Sequence, residues 1–196
     1  EDREPVVYVG ANDGMLHGFN AKSSGSGAGE EVLAYVPYSL ASTSVGEGLH
    51  YLTDPDYNHR YYVDLAPVVQ DVYIDTTSPV ASSSRDWASI LVGGLRGGGR
   101  GLFALDVTNP ANFSQTDADA AKTVLWEFTS ADDSDVGYMS SPPIIAMMEN
   151  EKWAVIFGNG YNSDGGLAKL FIVYIEEGLD GTWSSSDYVE IDTEVG

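Results

Sequence analysis

The chain has 196 residues, with 30 acidic and 9 basic side chains, and therefore a net charge of −21 at neutral pH. That charge argues against a nucleic-acid ligand and against an anionic membrane surface, because both are bound by clustered Lys and Arg. The longest apolar stretches, such as residues 142–148, are far shorter than the roughly 20 residues that span a bilayer. Because cysteine is absent, disulfides, thiol nucleophiles and Cys-ligated metal centres are excluded.

A repeated pattern organises the chain. An apolar strand, a terminal Gly, a Gly-containing turn and an apolar return strand occur three times, around Gly10, Gly93 and Gly158. A Pro followed by an apolar strand precedes the second and third hairpins, and a further strand follows the first and second. The unit therefore has four strands, and four-stranded units in series are typical of a β-propeller. We predict an all-β fold of four-stranded antiparallel blades, of which about three are present, so the propeller is partial; a solenoid of sheets is the alternative.

The predicted elements follow in chain order. Strands are expected at 6–9, 15–20, 32–36, 67–74, 89–92, 102–106, 124–128, 144–148, 154–157 and 170–175, with a weaker pattern at 188–191 and a short helix at 117–122. We treat 1–196 as one domain with a loop insertion at 39–62 and a polar connector at 109–122. Trp126 and Trp153 are expected to be buried between blades. Because the first unit lacks its opening strand, both outer blade faces should be apolar and the isolated chain should be marginally stable or self-associate.

Acidic turns are the candidate metal ligands. Asp132, Asp133 and Asp135 lie close together, and hard cations such as calcium bind several carboxylates on a tight turn. The spacing is not that of an EF-hand. Two further turns carry acidic and amide side chains, and solvated turns are the alternative for all three, since Asp and Asn favour turns without metal. These two turns contain Asp54, Asp56 and Asn58, and Asn159, Asn162 and Asp164.

Few residues suggest catalysis or partner binding. The Gly-rich stretch 93–101 lacks the Gly-Lys-Ser/Thr of a phosphate-binding loop and is expected to be a flexible hairpin tip. Its Arg96 and Arg100 are candidates for binding a carboxylate-bearing partner. The histidines His17, His50 and His59 stand in no nucleophile-elbow or His-Glu-x-x-His sequence. We therefore predict no enzymatic activity, no catalytic residues and no cofactor-binding residues.

Several motifs resemble one family. Residues 7–19, 57–64, 91–108, 124–128 and 156–163 are similar, in this order, to the C-terminal propeller of the PilC/PilY family of type IV pilus tip-associated adhesins. The resemblance covers about residues 6–173. Leu65 departs from it, standing where the family tends to have Gly. The family's calcium loop lies downstream of the matched part, and an Arg-Gly-Asp motif is missing, so neither feature transfers to residues here.

The resemblance implies a function as well as a fold. It implies a modified propeller of the seven-bladed type on the bacterial surface, pilus tip or outer membrane. It would act in pilus assembly, twitching motility and adhesion, with minor pilins or the pilus machinery, and a host-surface ligand, as partners and calcium as a family-level cofactor. Two alternatives remain: a quinoprotein-like dehydrogenase propeller and a metal-dependent glycan-binding propeller.

Overall fold

Three antiparallel sheets make up the fold. The computed structural model describes residues 4–196. Blade 1 has three strands, and blades 2 and 3 have four each, in the orders β1-β2-β3, β4-β5-β6-β7 and β8-β9-β10-β11. The strands are β1 Val6–Gly10, β2 Leu16–Asn20 and β3 Glu31–Tyr35 in blade 1; β4 Leu65–Ile74, β5 Asp86–Gly94, β6 Gly101–Asp106 and β7 Val124–Thr129 in blade 2; and β8 Ile144–Met147, β9 Trp153–Gly158, β10 Ala168–Tyr174 and β11 Tyr188–Val195 in blade 3.

The strand predictions are confirmed, with boundaries shifted by a few residues. The last strand, β11, extends to Val195 and is longer than its sequence pattern indicated. The predicted helix is α1, Asp117–Thr123, which begins after Thr116, whose hydroxyl oxygen accepts a hydrogen bond from the Asp119 amide. Short 3-10 helices lie at Tyr38–Leu40, Gly48–Thr53, Ser82–Ser84, Arg96–Gly98, Pro110–Asn112 and Glu177–Asp180. No helix of the described chain is long and apolar enough to cross a membrane.

Apolar side chains on alternating strand positions form two cores, one on each side of blade 2. Phe103 and Leu91 point from blade 2 toward blade 1, where Leu16 is fully buried. Val92 and Phe128 point the other way, toward Phe171 of blade 3. Because blade 2 is apolar on both faces, it forms the middle layer between its neighbours.

The tryptophan predictions are confirmed in part. Trp126 is 4% exposed, and its indole Nε1 donates a hydrogen bond to the Ile175 carbonyl of blade 3 at 3.1 Å. Trp153 is only partly buried, although it packs against the core between blades 2 and 3. Trp87, the second residue of β5, is 63% exposed. Trp153 departs from the prediction because it opens its strand and so lies at the rim of the core.

The outward faces of the first and last blades expose apolar side chains. In blade 3, Ile144 pairs with Ile156, Ile156 with Ile172, and Ile172 with Val189, so the four share one face. Ile144 and Val189 at the ends of this row are exposed. In blade 1, Val7 is exposed as well. The expectation of apolar outer faces is met, and the partial propeller is not closed within the described residues.

Strand direction brings one set of loops together. In an antiparallel sheet, the turn after the second strand and the loop after the fourth strand leave from the same end. We call this end the loop face. It comprises the hairpin turns 11–15, 95–100 and 159–167 and the blade-linking loops 36–64 and 130–143.

Candidate functional site

Three sequence candidates meet on the loop face. The turn holding Arg100 in blade 2, the acidic turn 130–137 and the acidic-amide turn 159–166 of blade 3 contact one another through side-chain hydrogen bonds. The sequence presented them as three separate motifs, up to 64 residues apart. The site therefore arises from blade packing.

Arg100 links the three turns. Its Nε donates to the Val136 carbonyl at 2.8 Å, its Nη2 to the Ser134 carbonyl at 2.6 Å, and its Nη1 to an Asp164 carboxylate oxygen at 2.9 Å. The guanidinium has five N–H donors, and these contacts use three. Arg100 thus binds groups within the chain, so fewer of its N–H donors remain for the partner carboxylate that the sequence suggested.

Arg96 lies in a different setting. It is half-exposed, and its contact with Asp64 is a long one, at 3.3 Å. Exposed ion pairs of this kind contribute little to stability. Of the two arginines, Arg96 is the one whose charge points outward. The surrounding turn is not a free tip, because an added Cβ on Gly98 would lie 1.9 Å from the Tyr62 carbonyl oxygen.

The acidic turn holds carboxylates with different partners. Asp132 accepts hydrogen bonds from the Thr129 amide and hydroxyl, at 2.9 and 3.0 Å. Asp133 accepts the Tyr188 hydroxyl at 2.9 Å, and Asp135 accepts the Gly165 amide at 2.9 Å. Asp133 and Asp135 bring their carboxylates within 4.8 Å of Glu190 on β11, and Asp132 is not part of this group.

A lysine lies among these carboxylates. The Lys169 ammonium forms ion pairs with both Asp135 and Glu190. The hydrogen bond from Lys169 lowers the pKa of Asp135, and the same bond, with that to Glu190, raises the pKa of Lys169. Burial, followed by the hydrogen bond to Asp133, raises the pKa of Tyr188 to about 12.

The arrangement is a poor fit for calcium as it stands. Carboxylate oxygens are the ligands that calcium prefers, but an ammonium group already bonds two of the three carboxylates. A cation would have to displace Lys169. Metal binding by Asp132, Asp133 and Asp135 stays a prediction from the sequence alone, and this arrangement favours its alternative, a turn without metal.

The acidic-amide turn of blade 3 is built around Asn159. Its side chain is buried, its Nδ2 donates to the carbonyls of Asp135 and Leu167, and its Oδ1 accepts the Lys169 amide at 2.9 Å. Next to it, Gly160 has a φ of 80° and no room for a side chain. Asn159 therefore holds the turn together through its amide.

The turn at residues 54–58 of the insertion is likewise held by hydrogen bonds within the chain. Asp54 accepts the Asp56 amide at 2.9 Å, and the Asn58 amide donates to the Tyr51 hydroxyl at 2.9 Å. His59 lies against Tyr61, with ring centroids 5.6 Å apart.

His17, in β2 of blade 1, bonds Glu31 through Nδ1 and Asp13 through Nε2, so carboxylates bond both of its ring nitrogens.

A cleft of about 680 Å³ lies between the start of the insertion and blade 2, lined by Tyr38, Leu95, Arg100, Glu127 and Asp132, among others. Glu127 on β7 fixes this cleft: it accepts the Tyr35 hydroxyl at 2.8 Å and the amides of Tyr38 and Ser39 at 2.5 and 3.0 Å. Burial first, and the Glu127 charge second, raise the pKa of Tyr35. Sequence reasoning missed Glu127, because its partners lie about 90 residues away and nothing local marks it.

The insertion exposes two large apolar side chains. Tyr38, which lines the cleft, and Val45, further along the same loop, are each 83% exposed, although the insertion is anchored by the buried Leu40 and Tyr51. Side chains exposed to this extent on an anchored loop contribute little to folding. They are the kind of group that a protein partner contacts.

Comparisons with known proteins agree with the fold. The PilY1 beta-propeller domain family matches residues 1–189. A type IV pilus biogenesis factor PilY1 homolog of Xylella fastidiosa is 44% identical over 172 residues, which is 88% of this chain and 10% of the relative. The type IV pilus biogenesis factor PilY1 of Pseudomonas aeruginosa strain UCBPP-PA14 is 43% identical over 181 residues, or 91% of this chain and 13% of the relative.

A solved structure extends the comparison. The crystal structure of the Pseudomonas aeruginosa PilY1 C-terminal domain superposes with a TM-score of 0.66 at 36% identity, covering 97% of this chain and 30% of that chain. The present chain thus spans only a small part of the curated relatives it matches. On the sequence match, the identity to these relatives and the shared architecture, this chain belongs to the PilY1 beta-propeller domain family.

Proposed function

We propose that this chain is a non-enzymatic interaction module of a type IV pilus biogenesis factor, exported to the bacterial surface, and that its loop face contacts the pilus machinery. The family match over residues 1–189 and the relatives, which are type IV pilus biogenesis factors, support the pilus association. Minor pilins are the proposed partners, and adhesion to a host surface and twitching motility are the proposed outcomes.

The proposed location rests on the exposure of Tyr38, which lines the cleft fixed by Glu127, and of Val45 on the same insertion. An apolar surface beside a polar cleft is typical of a protein-binding site, where aromatic side chains supply much of the binding free energy. The charge of −21 would favour a partner with a basic surface. Arg96 adds an outward positive charge on the same face.

The test is complementation in a bacterium lacking its own copy of the full-length protein. Val45→Ser and Tyr38→Ser should lower surface piliation and twitching while leaving the melting temperature and protein level unchanged. The matched control is Val80→Ser, since Val80 is an exposed valine in a loop at the opposite end of the sheets. Full piliation in both loop-face variants would refute the assignment of the loop face.

A separate measurement addresses the quinoprotein alternative. Protein purified from the native host should show no visible absorption band attributable to a bound quinone. A stoichiometric band would overturn the non-enzymatic assignment without bearing on the loop face.

A further inference from the structure

A groove of about 690 Å³ lies between blades 1 and 2, at the end of the sheets opposite the loop face. Trp87, near the start of β5, lines it together with residues 108–111, which follow β6. Blade 1 contributes Val32 on β3 and Glu4, which precedes β1. A volume of this size is typical of small-molecule sites. The groove is therefore a second candidate site, separate from the loop face.

The groove contains an exposed aromatic ring held by a strand. Trp87 is 63% exposed, although it belongs to β5. Its partner across the ladder, Tyr73 of β4, contacts the indole edge to face, with ring centroids 5.7 Å apart. The face of an aromatic ring is electronegative and attracts polarised C–H groups. Trp87 thus offers a flat, supported surface on which a ring with C–H groups can stack.

Two polar side chains of the groove have atoms left for a ligand. Asp71 accepts the Ser89 hydroxyl through Oδ1 at 2.5 Å, and its Oδ2 accepts no hydrogen bond from the described residues. Asn109 accepts the Ala111 amide through Oδ1 at 3.0 Å, and its Nδ2 donates to no described residue. In both side chains one atom is fixed within the chain. The other atoms leave the groove with one hydrogen-bond acceptor and one donor.

This pairing of donor and acceptor limits the class of ligand. No Lys or Arg is among the described residues that line the groove, so an anionic ligand would lack a charged partner. An ammonium group could bind Asp71 and the Trp87 ring, but it has no acceptor for the Nδ2 of Asn109. A hydroxyl group both donates and accepts, and can therefore bond both side chains.

We propose that this groove binds a neutral saccharide, with one face of a sugar ring on the Trp87 indole and with sugar hydroxyls bonded to Asp71 and Asn109. A sugar ring combines a face of C–H groups with a rim of hydroxyls, which matches this arrangement. The binding needs no metal, since the described carboxylates that could hold a cation lie beside Lys169 in blade 3. The proposal does not rest on the pilus role, because the groove and the loop face are at opposite ends of the sheets.

The test uses the full-length polypeptide and the methyl glycosides of glucose, galactose, mannose and N-acetylglucosamine. Saturation-transfer NMR at millimolar glycoside should show binding of at least one of them, strongest at the C–H protons of one ring face and unchanged by EDTA. Trp87→Ala should weaken this binding roughly tenfold or more, and Trp87→Phe, which keeps an aromatic face, by only about threefold. Asp71→Asn should weaken it roughly threefold to tenfold, because it removes a hydrogen-bond acceptor. The control is Tyr38→Ala, an exposed aromatic side chain on the loop face, which should bind like the wild type.

Four outcomes would overturn the proposal. They are the absence of a signal from all four glycosides, equal binding by wild type and Trp87→Ala, loss of binding in EDTA, and binding of choline in place of the glycosides. Loss of binding in EDTA would assign the saccharide to a metal site, and choline would assign the groove to a cationic ligand. Trp87 and Asp71 are both exposed, so their variants should keep the wild-type melting temperature and loss of binding would not reflect loss of folding. Because Tyr38 belongs to the loop face, a failure of the loop-face proposal would leave this result unchanged.

Discussion

Replacing Trp126 with Ala is expected to destabilise the chain strongly. The indole is 4% exposed, packs edge to face on Trp183 with centroids 5.4 Å apart, and donates a hydrogen bond to the Ile175 carbonyl. Removing a buried Trp side chain costs about 3–5 kcal/mol of unfolding free energy. Leaving the Ile175 carbonyl without its donor adds about 1 kcal/mol. The sum is a large fraction of the roughly 5–15 kcal/mol that holds a domain folded.

The assay is denaturant unfolding followed by circular dichroism. Trp126→Phe separates the two contributions, since it keeps an aromatic ring and should lose only about 1–2 kcal/mol, mainly from the hydrogen bond. Trp87→Ala is the matched control, and at this exposed position the change should stay within about 0.5 kcal/mol. If Trp126→Ala and Trp87→Ala lowered the unfolding free energy equally, packing between blades 2 and 3 would not be a main source of stability.

Three further predictions concern single sites. Gly160→Ala should lower the unfolding free energy by at least about 2 kcal/mol, because φ is positive and the new Cβ would lie 2.0 Å from the Tyr138 carbonyl oxygen. The control is Gly166→Ala, which has a positive φ but open space around it and should cost less. Equal shifts in melting temperature would contradict this prediction. Burial alone would lower the pKa of His17, but its two carboxylate partners raise this pKa above 6.5. The interaction of His17 with these carboxylates therefore stabilises the fold fully below the pKa of the unfolded state. The stabilisation is lost as pH rises through the pKa of the folded state. The melting temperature of the wild type should therefore fall with rising pH above about 6.5 relative to His17→Gln, and parallel curves would refute it. Millimolar calcium should leave the melting temperature unchanged, because the Lys169 ammonium already bonds the carboxylates; heat on titration would instead support a calcium site at the acidic turn.

The sequence alone determined the strands, because their signals are local. An apolar run ending in Gly, followed by a polar turn, specifies a hairpin without reference to the rest of the chain. The family resemblance rested on such local motifs, and the match over residues 1–189 confirms it. The short helix after Thr116 was likewise predictable from its capping residue and composition.

Tertiary structure decided what each side chain contacts. Trp87 and Trp153 both lie near the start of the second strand of a blade, yet Trp153 packs against the core between blades 2 and 3, whereas Trp87 is exposed. The sequence presented Arg100 as a charge on a Gly-rich tip, but the loop between blades 2 and 3 supplies two carbonyls to it and blade 3 supplies a carboxylate. Glu127 has no distinguishing neighbour in sequence, because the amides it binds come from another blade's loop. Hydrogen bonds between distant segments depend on how the blades pack, and the local pattern of residues carries no record of that packing.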